Sequence, residues 1–140
     1  MSPVEQRKHP PSWNRGRVVL CVDDEPGVLN AVRRSLRDEP YDVITAGSSE
    51  EALGWLDEIP VDLVISDQQM PGMLGTELLK EVRKRSPDTA LALLTGIRTP
   101  ATVLRGLEAG AETFLYKPWD EDHLVETIRR LLTNVPRTRP

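Results

Sequence analysis

The sequence predicts one α/β domain with a doubly wound, five-stranded parallel sheet and five helices. Short apolar runs alternate five times with segments of helical periodicity, a pattern typical of parallel strands joined by right-handed helical crossovers. The first run, Val18–Val22, is apolar at every position, as in a central strand covered on both faces. A chain of 140 residues is long enough for one domain with its own core.

The first half of the chain contains three predicted strands and two predicted helices. Pro26 is favoured in a first helical turn, so the first helix begins there, and it ends before Pro40. Ser48 or Ser49 can cap the second helix, which ends before Pro60. The strands cover residues 18–22, 41–46 and 61–66.

The second half contains two further strands and three helices. Thr99 followed by Pro100 is a helix start signal, and Gly110 can end that helix in the left-handed conformation. Asp120 can cap the last helix. The strands cover residues 90–94 and 114–116, and the helices cover residues 74–85, about 100–109 and about 121–134.

Composition excludes several classes of protein. A net charge of −4 and a pI near 5.2 give no support for direct nucleic-acid binding, which needs a basic surface. No apolar stretch is long enough to cross a bilayer, and the first residues lack the apolar core of a secretory signal. A single cysteine cannot form an internal disulfide and suits a reducing compartment. We therefore expect a cytoplasmic protein without a direct membrane contact.

Four of the apolar runs end in polar groups suited to metal and phosphate chemistry. Asp23 and Asp24 follow the first run, and Asp67 follows the third. Thr95 follows the fourth run and Lys117 the fifth. Ligands of open parallel sheets lie beyond the carboxyl ends of the strands. We therefore expect three carboxylates, a hydroxyl and an ammonium group at one edge of the sheet.

These groups indicate a divalent cation and a phosphoryl group. Two carboxylates 4 Å apart repel each other by roughly 4 kcal/mol at an effective dielectric constant of about 20, which favours uptake of protons or a cation. Oxygen ligands without His or Cys favour Mg²⁺ or a similar hard ion such as Mn²⁺. Lys117 and Thr95 can bind phosphoryl oxygens. Asp67 is the natural nucleophile, because an aspartate can form an acyl phosphate.

Four segments of the chain resemble the motifs of receiver domains of bacterial two-component response regulators. They are VDDE at residues 22–25, SDQQMPGM at 66–73, LLTG at 93–96 and FLYKP at 114–118. The resemblance implies a flavodoxin-like fold of the CheY-like superfamily, with strand order 2-1-3-4-5. It also implies that a histidine kinase, a phosphotransfer protein or a small phosphodonor transfers a phosphoryl group to this domain.

The resemblance assigns the metal site and the phosphoryl acceptor. Asp67 would accept the phosphoryl group. Asp24 and Asp67 would bind Mg²⁺ directly, together with the main-chain carbonyl group of Gln69. Asp23 would act mainly through a bound water molecule.

The resemblance also assigns a switch. Lys117 would pair with the acceptor carboxylate at rest and with the phosphoryl group afterwards. Thr95 would move inward to bond the phosphoryl oxygen, and Phe114 would turn inward after it. The family often has tyrosine where this chain has Phe114, so the two states of this ring would differ only in packing. The Lys117–Pro118 peptide bond is expected to be cis.

Two other functions compete with this interpretation. A metal-dependent phosphatase can also use an aspartyl-phosphate, but such enzymes typically carry an aspartate as general acid where this chain has Gln69. A flavin-type binder would need hydroxyl groups and glycines after the first strand. Asp23, Asp24 and Glu25 stand there instead and would repel a phosphate unless a metal intervened. The chain is therefore expected to catalyse only its own phosphorylation and dephosphorylation.

The organisation expected from this resemblance has one domain and two short tails. Residues 17–134 form the receiver domain, residues 1–16 an N-terminal tail, and residues 135–140 a C-terminal tail or the start of a linker. The signal would pass through the fourth helix, fifth strand and fifth helix to an output domain beyond Pro140, to a separate protein, or to a second copy in a homodimer.

Overall fold

A computed structural model describes residues 16–136 as a parallel sheet between two layers of helices. The expected tails therefore lie almost entirely outside the described residues. The strands are β1 (Val18–Val22), β2 (Asp42–Ala46), β3 (Leu63–Ser66), β4 (Ala90–Thr95) and β5 (Thr113–Tyr116). The helices are α1 (Pro26–Leu36), α2 (Ser49–Glu58), α3 (Gly75–Arg85), α4 (Pro100–Ala109) and α5 (Glu121–Thr133).

The sheet has the order β2-β1-β3-β4-β5, and all four neighbouring pairs are parallel. The predicted α/β class and strand order are thus confirmed. Val22 of β1 lies opposite Ser66 of β3, so the residues that follow these two strands leave the sheet side by side. Thr95 of β4 lies opposite Tyr116 of β5. This register brings the polar strand ends to one edge of the sheet.

Each face of the sheet has its own hydrophobic core. Val19 and Cys21 of β1 point into the core shared with α1 and α5, whereas Leu20 and Val22 point into the core shared with α2, α3 and α4. Because both faces are covered, β1 is apolar at every position rather than at alternate ones. Among the described residues, no helix is both long enough and apolar enough to cross a membrane.

The predicted helix boundaries agree with the structure to within one or two residues, except that α1 ends at Leu36 rather than directly before Pro40. Ser48, rather than Ser49, caps α2 by accepting a hydrogen bond from the N–H of Glu51 at 3.1 Å. Thr99 and Asp120 cap α4 and α5 in the same way. The left-handed Gly110 ends α4 with a φ of 103°, and the Lys117–Pro118 bond is cis, as predicted.

Strand β3 begins two residues later than predicted, at Leu63 rather than Val61. The cause is Asp62, whose carboxylate accepts a hydrogen bond from the N–H of Val18 at 2.7 Å and pairs with buried Arg17 at 3.2 Å. The main-chain N–H of Asp62 still donates to the carbonyl oxygen of Val18 at 2.9 Å. The N–H of Val18, however, is bound by the Asp62 side chain rather than by a main-chain oxygen, so the regular pairing of β3 begins at Leu63.

Helix α3 packs its first residue directly against the loop that follows β3. The N–H of Gly75 donates to the carbonyl oxygen of Gln68 at 3.0 Å. A Cβ atom at Gly75 would overlap the main-chain carbonyl oxygen of Asp67. Only glycine therefore fits at this position without moving the loop that carries Asp67.

We expect Gly75→Ala to lower the free energy of unfolding by about 1–3 kcal/mol, because the added methyl group overlaps main-chain atoms. Gly54→Ala is the matched control, since Gly54 lies within α2 and a Cβ atom there meets nothing within 4 Å. The control is expected to raise the same free energy by about 0.5–1 kcal/mol. Urea denaturation measures both changes. Equal effects of the two substitutions would contradict the close contact at Gly75.

Candidate functional site

The end of β1 places one buried and one exposed carboxylate at the sheet edge. Asp23 is only 3% exposed, whereas Asp24 is exposed. The N–H of Asp23 donates to the carbonyl oxygen of Ala46 at 3.1 Å, which continues the pairing of β1 with β2. The Asp23 carboxylate accepts the N–H of Glu25 on Oδ1 at 2.9 Å. Local hydrogen bonds thus fix Asp23 at the strand end.

The end of β3 places a third carboxylate beside the first two. Asp67 is 6% exposed, and its N–H donates to the carbonyl oxygen of Val22 at 2.9 Å. Its Oδ1 atom accepts the N–H of Gln68 at 2.9 Å. One carboxylate oxygen from each of Asp23, Asp24 and Asp67 lies within 4.8 Å of the other two. The structure therefore brings together the three predicted acids.

Lys117 connects the end of β5 to these acids. Its Nζ atom donates to Oδ2 of Asp23 at 2.7 Å and lies 3.5 Å from Oδ2 of Asp67. The predicted pairing with Asp67 is thus the longer of two contacts. Burial lowers the pKa of Lys117, but the hydrogen bond to Asp23 and the negative charge of Asp67 outweigh it, so the pKa is raised. Lys117 remains a cation at neutral pH.

One ammonium group does not compensate three carboxylates. Burial raises the pKa of Asp67, and the charge of Asp23 raises it further. Lys117 and the N–H of Gln68 oppose this rise without cancelling it. The Asp67 carboxylate is therefore held in a site that disfavours its charge, which is the electrostatic setting that a divalent cation relieves.

The donor set fits a hard divalent ion such as Mg²⁺. It consists of carboxylate oxygens from the ends of β1 and β3. The Asp24 carboxylate is exposed, so a bound ion could keep water ligands. Gln69 is exposed and follows the loop residue Gln68. The role of its carbonyl group as a further ligand remains a prediction, as does the water-mediated role of Asp23.

The two predicted switch residues lie on the β4 and β5 side of the site. Thr95 is buried, and its Oγ1 atom accepts the N–H of Ile97 at 3.2 Å. Phe114 is half-buried and packs against α4, where a Cβ atom at Gly106 would lie 2.5 Å from its Cζ atom. The space for the ring thus depends on a glycine. The movement of Thr95 and Phe114 upon phosphorylation remains a prediction.

A cation–π contact also holds the loop that follows Thr95. The guanidinium carbon of Arg98 lies 4.3 Å from the centre of the Tyr116 ring on β5. The sequence does not predict this contact, because each residue alone is ordinary on a protein surface. It ties the β4–α4 loop to the edge strand, close to the hydroxyl of Thr95.

Sequence reasoning also missed two residues that support Asp67. The side chain of Gln68 is buried and bonds Thr76, the second residue of α3, at both its oxygen and its nitrogen. The signal available in the sequence was weak: a glutamine directly after the predicted acceptor aspartate, and a threonine in a first helical turn. Only the close approach of α3 to the loop makes them neighbours.

Comparison with known proteins agrees with the fold. The family model for the response regulator receiver domain matches residues 19–129. The chain therefore belongs to the receiver domain family of two-component response regulators, and the predicted resemblance is confirmed.

Two curated relatives are transcriptional regulators. The hydrogenase transcriptional regulatory protein HoxA of Cupriavidus necator is 42% identical over 113 residues, which cover 80% of this chain and 23% of that protein. The transcriptional regulatory protein AruR of Pseudomonas aeruginosa is 36% identical over 122 residues, which cover 84% of this chain and 50% of that protein. This chain thus spans half or less of the length of these relatives.

A solved structure shows the same fold. The signal receiver domain of an HD domain-containing protein from Pseudomonas fluorescens Pf-5 superimposes with a TM-score of 0.82 at 32% sequence identity. The match covers 85% of this chain and 96% of that one.

We expect Asp67→Asn to raise the free energy of unfolding of the metal-free protein at neutral pH, because it removes a charge that burial disfavours. A carboxyl group whose pKa is raised in the folded state contributes stability at low pH and loses it as the pH rises through that pKa. The advantage of the variant should therefore grow with pH and vanish in acid, where the wild-type group is neutral too.

Urea denaturation over a pH series with a chelator measures this difference. Saturating Mg²⁺ is the control, since it should stabilise the wild-type protein and reduce the advantage of Asp67→Asn. A wild-type protein that is more stable than the variant at neutral pH without metal would contradict the raised pKa.

Proposed function

We propose that this chain is a phosphorylation-driven switch in which Asp67 accepts a phosphoryl group in a Mg²⁺-dependent reaction. The donor would be a histidine kinase, a phosphotransfer protein or a small phosphodonor such as an acyl phosphate. The observation that carries the proposal is the cluster of three carboxylates within 4.8 Å, with the ammonium group of Lys117 between two of them. Membership of the receiver domain family supports it.

The residues divide the reaction between them. Asp24, Asp67 and the carbonyl group of Gln69 would hold Mg²⁺, and Asp23 would hold its water ligands. The bound ion would supply positive charge against the phosphoryl oxygens. A carboxylate oxygen of Asp67 forms a bond to phosphorus as the bond between phosphorus and the donor's leaving atom breaks. The leaving group keeps the electron pair of that bond.

Lys117 and Thr95 would then detect the new charge. The ammonium group of Lys117 already lies 3.5 Å from Asp67 and can exchange the Asp23 carboxylate for a phosphoryl oxygen. The hydroxyl of Thr95 would leave the N–H of Ile97 for another phosphoryl oxygen. This movement pulls the β4–α4 loop inward and opens space for the ring of Phe114, so the surface over α4, β5 and α5 changes shape.

The surface over α4 is suited to bind a partner. Leu104 and Leu107 of α4 are 59% and 56% exposed, an unusual exposure for leucine side chains on one helix face. We propose that this surface contacts an output domain, a downstream protein or a second copy of the chain. The names of the curated relatives support transcriptional control as the output.

A phosphatase with outside substrates is the second candidate, and the site gives it less support. The position two residues after Asp67 carries Gln69, which cannot donate and recover a proton as a carboxyl group does. We therefore propose a signalling domain in the cytoplasm, formed by residues 17–134, which turns over only its own phosphoryl group.

Incubation with an acyl phosphate and Mg²⁺ should add the mass of one phosphoryl group to the intact protein. Asp67→Asn should abolish the addition, and Lys117→Met should slow it about 100-fold, because an oxyanion-stabilising group is lost. Intact-protein mass spectrometry measures both. Glu25→Gln is a control for charge near the site and should label at nearly the wild-type rate.

Labelling of Asp67→Asn at the wild-type rate would contradict the assignment of the acceptor. Steady turnover of a phosphomonoester by the wild-type protein would favour the phosphatase.

We expect the acyl-phosphate-treated protein to elute from a gel filtration column as a dimer and the untreated protein as a monomer. Replacing Leu104 and Leu107 together by lysine should abolish the shift, because charged side chains then repel across the interface. Labelling of the double variant at the wild-type rate is the control that its site is intact. A dimer of unchanged stability in the double variant would place the interface elsewhere.

A further inference from the structure

We propose that Gln68 is a positioning residue that sets the affinity of the site for Mg²⁺ by holding the Asp67 carboxylate and the main chain that leads into Gln69. This inference rests on the proposed function and concerns the same site. The side chain of Gln68 points away from the acids, so its effect is transmitted through its main chain.

Every polar group of Gln68 is engaged. Its N–H donates to Oδ1 of Asp67 at 2.9 Å, and its carbonyl oxygen accepts the N–H of Gly75 at 3.0 Å. Its side-chain oxygen accepts the N–H of Thr76 at 2.8 Å, and its side-chain nitrogen donates to Oγ1 of Thr76 at 3.2 Å. The residue is 1% exposed. Four hydrogen bonds thus fix one buried residue between the acceptor aspartate and α3.

Gln68 also takes the place of the N-cap of α3. The first two residues of the helix, Gly75 and Thr76, direct their N–H groups to the main-chain and side-chain oxygens of Gln68. Leu74 stands at the N-cap position and has no side-chain acceptor. The first turn of α3 is therefore capped by the residue that follows Asp67. These bonds attach the loop after β3 to the rigid helix.

This attachment bears on metal binding because it fixes the orientation of a carboxylate. One oxygen of Asp67 accepts the N–H of Gln68, and the other faces Lys117 at 3.5 Å. Removing a group that orients a metal ligand typically lowers metal affinity by about 10–100-fold. A residue that merely caps α3 would change the stability of the fold and leave the affinity unchanged.

The test uses Gln68→Met, which keeps the length of the side chain and removes both of its bonds to Thr76. Isothermal titration of the full chain with MgCl₂ should show about 10-fold weaker binding than wild type. Binding of Mg²⁺ to the folded protein increases its free energy of unfolding. At the same saturating Mg²⁺ concentration, this increase should be about 1.4 kcal/mol smaller for Gln68→Met than for the wild-type protein.

A pair of substitutions at Thr76 keeps the test valid if Gln68→Met fails to fold. Thr76→Val retains the N–H bond and removes the hydroxyl acceptor, so Mg²⁺ affinity should fall about 3-fold. Thr76→Ser retains the hydroxyl and should bind Mg²⁺ like wild type. Ser48→Ala removes the cap of α2 and should lower stability without changing Mg²⁺ affinity.

Three outcomes overturn the inference. Gln68→Met could lower the free energy of unfolding by the same amount with and without Mg²⁺, which would make Gln68 only a helix cap. Ser48→Ala could weaken Mg²⁺ binding as much as Gln68→Met, which would trace the effect to general stability. A wild-type protein that binds no Mg²⁺ would overturn the proposed function as well, so the two failures are distinguishable.

Discussion

The repulsion among three carboxylates at one sheet edge is the constraint on which the rest of the structure depends. Asp23 and Asp67 are buried, and Asp24 completes the cluster at its open side. A single ammonium group, that of Lys117, lies against two of these acids. The site therefore keeps a net negative charge in a setting that resists it. In the proposed function, a divalent cation and then a phosphoryl group would satisfy both the acids and the lysine.

The strand order explains how this charge can be both held and detected. β1 and β3 are neighbours, and their matched ends place two acids side by side. Lys117 comes from β5 at the far side of the sheet, and its side chain reaches past β4 to contact Asp23. Any negative charge added at Asp67 competes with Asp23 for the same cation. The side chain of Lys117 thus connects the ends of β1 and β3, which carry the acids, to the end of β5.

The sequence predicts the framework well because its signals are strong and local. Strands buried on both faces are continuous apolar runs, and Ser48, Thr99 and Asp120 cap helices where side-chain oxygens precede apolar periodicity. The three acids were predicted for the same reason, since the parallel sheet alone brings strand ends together. The late start of β3 was not predictable in this way, because it depends on the direction of the Asp62 side chain.

The contacts that the sequence did not predict all depend on close approach between elements. Gly75 lies against the main chain of Asp67, Gln68 bonds the start of α3, and Arg98 stacks on Tyr116. Spacing along the chain does not reveal which of many ordinary residues will meet. Family motifs predict which groups react, whereas these contacts decide how firmly those groups are held.

In the switch that we propose, the absence of a hydroxyl on Phe114 would shift control toward the β4–α4 loop. The ring packs against Gly106 and the core cluster that contains Leu93, so its proposed inward and outward positions would differ in packing alone. The loop is held by the Arg98–Tyr116 contact, worth about 0.5–1 kcal/mol at an exposed site, and by a hydrogen bond to Thr95, worth a similar amount. A charge-assisted bond from Thr95 to a phosphoryl group is about twice as strong as a neutral one. Since 1.4 kcal/mol changes a population ratio tenfold, terms of this size would be sufficient, in the proposed function, for phosphorylation to reverse the balance between two states of the loop.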